Sequence, residues 1–110
     1  MDEKISALKD TIKDLILNII KRVDDIYDEY NAAGNPDSER LVNLFDDMQT
    51  LAEGVDIIKD NYSGLDLMEL QEKIDMMEKA METQDTMLFS DILRFELKDL
   101  LIYWTECLSK

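Results

Sequence analysis

Apolar residues recur in steps of three and four from the start of the chain. Ile5, Leu8, Ile12, Leu15, Ile16, Ile19, Val23, Ile26, Tyr27 and Tyr30 fall on one stripe of a helix. The pattern predicts a first helix over about 2–32, with Asp2 and Glu3 complementing its positive end. The segment "AAGNPDS" stops it: Gly34 suits a left-handed C-cap, Asn35 caps the next helix and Pro36 fits its first turn. Leu41, Leu44, Met48, Leu51, Val55, Ile58 and Tyr62 then follow a heptad, widened by Phe45 and Ala52, and predict a second helix over about 36–62. Gly54 lies inside it but off the main stripe. It reads as a tolerated glycine, at a cost of about 1 kcal/mol relative to alanine, rather than as a point of close approach.

In "NYSGLDLMEL", Gly64 closes the second helix and Asp66 caps the third, with Glu69 at the capping-box position. Leu67, Leu70, Ile74, Met77 and Met81 give a third helix over about 66–83. Thr83 or Asp85 caps a fourth over about 86–109. Four amphipathic helices with short connections pack most simply as an all-α, antiparallel up-down four-helix bundle, a single domain over 1–110. The first helix would be about 45 Å long. The third is much shorter, which leaves one end of the long helices less well covered.

The fourth helix carries apolar residues on two sides. Phe89, Leu93, Leu97, Leu100, Leu101, Trp104 and Leu108 share the core side, with small Ser90 among them. Leu88, Ile92, Phe95, Ile102 and Tyr103 lie about half a turn away, separated from the first group by Arg94 and Lys98 on one edge and Glu96 on the other. Two readings are open. In one, the helix is central and both sides are buried within the chain. In the other, the second side is a contact surface for protein, rimmed by Asp91, Asp99 and Glu106. Met68 and Met76 lie off the stripe of the third helix, and Met77 and Met81 lie on it.

Composition narrows the activities. Twelve Lys and Arg stand against 26 Asp and Glu, a formal net charge of −14. Such a field repels phosphate backbones and anionic lipids, so neither nucleic acid nor membrane is an expected partner, while a basic protein would be attracted. The longest apolar cluster, Leu15–Ile20, is too short to span a bilayer. The start of the chain has no signal-peptide core, and the single cysteine, Cys107, cannot form an internal disulfide. A cytoplasmic protein is expected.

Histidine is absent. The usual general base and the commonest transition-metal ligand are therefore missing, as are the Glu-x-x-His pairs of di-iron bundles. Carboxylates concentrate in "VDDIYDEY" (Val23–Tyr30) and "FDDM" (Phe45–Met48), yet Asp24, Asp25, Asp28 and Glu29 fall beside or opposite the apolar stripe, as on a solvated face. "DNYSGLDLMEL" fails as a calcium loop, because its third ligand position would be Tyr62 and Gly64 comes one place early. No phosphate-cradling glycine loop or nucleophile elbow occurs. Cys107, without a histidine to activate it, reads as a small buried hydrophobe. No cofactor is implied.

In "DTMLFSDILRFELKDLLIYW", Asp91, Leu93, Phe95, Glu96, Leu97 and Trp104 form an Asp-x-Leu-x-Phe-Glu-Leu core followed by a tryptophan. This segment resembles small, uncharacterised acidic helical proteins, domains of unknown function, from Gram-positive bacteria. The resemblance covers about a quarter of the chain. It implies a bacterial origin and carries no activity or site. The expectation is a non-enzymatic cytoplasmic bundle acting through protein contacts: a homodimer, an adaptor or a chaperone-like protein, with itself or a basic protein as partner. The alternatives are a carboxylate-based, divalent-metal-dependent enzyme and an acidic mimic that blocks a nucleic-acid-binding protein.

Overall fold

A computed structural model describes residues 3–33 and 38–109. Helix α1 (Glu3–Ala33) runs the length of the molecule, whose extents are 47 × 21 × 20 Å. Its 31 residues, at about 1.5 Å each, account for the long axis. Asp2 and the predicted punctuation at Gly34, Asn35 and Pro36 lie outside the described residues. Helix α2 (Ser38–Ile58) is prolonged by a 3-10 turn at Lys59–Asn61. Helix α3 spans Leu67–Glu82. The last rod is built of three pieces: α4 (Thr86–Asp91), a π-helical segment (Ile92–Leu97) and α5 (Lys98–Leu108). The fold is an all-α four-helix bundle, with no strand among the described residues.

Each rod lies against two others. α1 packs on α2 and on the C-terminal rod, and α3 packs on α2 and on that same rod. Ion pairs fix the antiparallel sense. Arg22 of α1 meets Asp47 of α2, and Arg40, earlier in α2, meets Glu29 and Asp25, later in α1. Lys73 of α3 reaches Glu96 across the next contact at 3.0 Å. The core holds the predicted stripes. Ile16, Ile19, Val23 and Ile26 of α1, Leu44, Met48, Leu51, Val55 and Ile58 of α2, and Trp104 of α5 are all fully buried. Phe45 and Phe89 tilt against each other at 6.4 Å between ring centres and tie α2 to α4.

The two described connections around α3 are tight. Gly64 has φ +95, the left-handed conformation expected where α2 is closed off. Asp66 caps α3 by accepting the N–H of Met68 at 3.0 Å. After α3, Gln84 takes φ 56; its N–H bonds to the Met81 carbonyl, and the N–H of Asp85 bonds to that of Ala80. This is the Schellman arrangement, built here on a glutamine. Of the two predicted caps for the last rod, Asp85 takes the role, accepting the Leu88 N–H at 3.0 Å, while the Thr83 hydroxyl bonds back to α3.

Two details differ from the periodicity. Gly54 is a point of close approach: a Cβ there would stand 3.0 Å from Ile12 Cδ1. The apolar stripe marks the centre of the buried face, whereas α1 also covers the flank on which Gly54 lies. Met81, on the predicted core stripe of α3, is 41% exposed. In that last turn the buried place belongs to Ala80, small enough to sit close to α4.

Candidate functional site

The two-sided C-terminal rod is resolved by the π-helical segment in its middle. A π turn closes N–H bonds onto the carbonyl five residues back and so takes in an extra residue. Here the Lys98 N–H bonds to Leu93 O. The apolar stripe is broadened at this point: Phe89, Ile92 and Leu93 are buried on entering it and Leu97, Leu100 and Leu101 on leaving. Phe95, at its centre, is turned outward and is 58% exposed.

The five residues of the expected contact face do not share one environment. Leu88 (45% exposed), Phe95 and Ile102 (39%) fall one heptad apart and remain on the surface. Ile92 is corrected to a core residue, 3% exposed. A uniform helical wheel sets it beside Phe95, but the widened turn brings it against α3, where it floors a depression of about 290 Å³. Met76, Lys79, Ala80 and Thr83 of the α3 side and Leu88 of α4 form the rest of that lining. Tyr103 (49% exposed) belongs elsewhere. With Cys107 it lines a separate depression of about 270 Å³ against Asn61, Tyr62, Ser63 and Gly64. Its phenol is held above the usual 10.0, first by hydrogen bonding to Cys107, then by the negative charge that Cys107 can carry, by burial and by Glu69 and Glu106.

Charge around the rod is divided. On one flank Arg94 and Lys98 turn to α1: Lys98 donates to Asp24 at 2.7 Å, and Arg94 lies 3.9 Å from Asp24 and 4.9 Å above the Tyr27 ring. On the other flank Glu96 accepts from Lys73. Asp91 and Asp99 are exposed, one turn before and one turn after Phe95. The carboxylates of Val23–Tyr30 and Phe45–Met48 thus include partners in helix–helix ion pairs, namely Asp24, Asp25, Glu29 and Asp47. Among the described residues, no group of three or more Cys, Asp or Glu side chains lies close enough to share a metal ion. No described helix is long and apolar enough to cross a membrane.

Sequence reading did not find Met76 as a neighbour of Leu88. Nothing in the order of residues marks that pairing, because it depends on the antiparallel register of α3 against α4. Residues 7–107 match the family model described as Domain of unknown function (DUF8042). No curated protein and no solved structure matches the chain.

Proposed function

The chain belongs to the DUF8042 family, and from that premise we propose that it works without catalysis, as a protein-docking bundle, through the outer face of its C-terminal rod. One observation carries this reading: Leu88, Phe95 and Ile102 stand exposed at heptad spacing on a rod whose core side is already filled, and Met87 and Tyr103 of the same rod are exposed as well. Large apolar side chains left exposed together on one element mark interaction surfaces. The π turn supports it, since such turns recur at functional sites and this one presents Phe95 to solvent. The expected cytoplasmic, bacterial setting belongs to the same reading. In that setting the acidic surface favours solubility and draws basic proteins at close range.

The test is photo-crosslinking in an extract of the source organism, with the photoreactive residue at position 95 or, as a control, at the exposed position Glu53 of α2. The expected result is a discrete heavier species from position 95, suppressed by excess unlabelled chain and absent from position 53. Identical adducts from both positions, or none from 95, would overturn the reading.

A further inference from the structure

We propose that the occupant of this face is a basic amphipathic helix, laid along the junction of α3 and the C-terminal rod; the inference rests on the docking reading above. Shape gives the first argument. The face from Leu88 to Ile102 covers about 21 Å of helix, and beside its first turn the depression floored by Ile92 and walled by Met76 is open to an apolar anchor. An amphipathic helix of about four turns, with anchors at i, i+3, i+4 and i+7, fits such a strip. Met76 supplies an adaptable wall.

Charge gives the second argument. Around Phe95 the cations are engaged within the fold, Lys73 with Glu96 and Arg94 and Lys98 with Asp24, whereas Lys79 in the wall of the depression has no ion-pair partner among the described residues. Asp91 and Asp99, which bracket Phe95, have no ion-pair partner among the described residues. The face therefore presents an apolar row between uncompensated carboxylates, and an occupant with lysines or arginines beside its apolar anchors completes it. A second copy of the chain does not. A twofold axis near Phe95 would bring Asp91 and Asp99 of one copy against Asp99 and Asp91 of the other, between two chains that each carry −14.

The experiment measures binding of the full chain to three labelled peptides of about 18 residues, a length that covers the strip. One carries Leu and Lys in amphipathic helical order, the second has the same residues shuffled, and the third has Glu in place of Lys. The ordered cationic peptide is expected to bind at least about tenfold more tightly than either control, with Phe95→Ser losing about tenfold while staying folded by circular dichroism. The paired change Asp91→Asn and Asp99→Asn should weaken binding severalfold and flatten its salt dependence. Equal binding of the shuffled peptide would reduce the effect to net charge and overturn the inference. Equal or tighter binding of the Glu peptide would overturn the charge assignment. A wild-type dimer that Phe95→Ser splits, with no peptide bound, would make the occupant a second copy. These last two results leave the docking reading standing, and the crosslinking comparison of positions 95 and 53 decides that reading separately.

Discussion

Gly64 lies directly against Tyr103: a Cβ built on the glycine would stand 2.8 Å from the phenolic oxygen and 2.6 Å from Cys107 Sγ. The turn between α2 and α3 is thereby fitted onto the last turns of α5. Position 64 thus carries two requirements, a φ of +95 set by the turn and a missing side chain set by this contact. Gly64→Ala should destabilise the bundle by about 2–3 kcal/mol, read as a lower urea midpoint at unchanged slope. Combining it with Cys107→Ala removes the nearer obstacle and should recover part of the loss, leaving the Tyr103 contact and the cost of the backbone conformation.

Tyr103 makes a pH prediction. Its raised value means that the folded chain keeps the phenol proton after the unfolded chain, at the ordinary 10.0, has begun to lose it. Stability contributed by this group is complete below that value and declines as pH rises through the folded value. A phenolate absorbance titration should show one tyrosine ionising above 10.0, and Cys107→Ala should bring it down. An unchanged titration in that variant would show that Cys107 is not the cause.

Gln84 sits at φ 56 in the position that most Schellman caps give to glycine. Gln84→Gly relieves the left-handed strain and should raise stability by about 0.5–1 kcal/mol, seen as a higher midpoint in thermal unfolding. Asp85→Ala, one residue on, removes the cap of α4 and should cost about 1 kcal/mol.

Ile92 and Phe95 are three residues apart and should respond in opposite ways. Ile92→Ala empties a buried site and should lose about 2–4 kcal/mol. Phe95→Ser, on a side chain 58% exposed, should change stability by less than about 1 kcal/mol. Equal losses in chemical denaturation would mean that both residues belong to the core, and the exposed row would no longer stand apart from it.

The sequence by itself determined the four helices, the cap at Asp66, a choice of Thr83 or Asp85 for the last rod and nearly all of the core, because each rests on local spacing: the helical repeat selects the buried side whatever the neighbour is. It also determined that the last rod carries more apolar surface than one stripe can use. Tertiary structure decided which of those residues are exposed. A widened turn moved Ile92 inward and left Phe95 out, and antiparallel register set Met76 beside Leu88. Close packing of α1 reserved Gly54 for Ile12 and drew Asp24 to Lys98, 74 residues away. These outcomes depend on where a second helix lies and how the backbone yields to it. Neither is encoded in the period of a single segment.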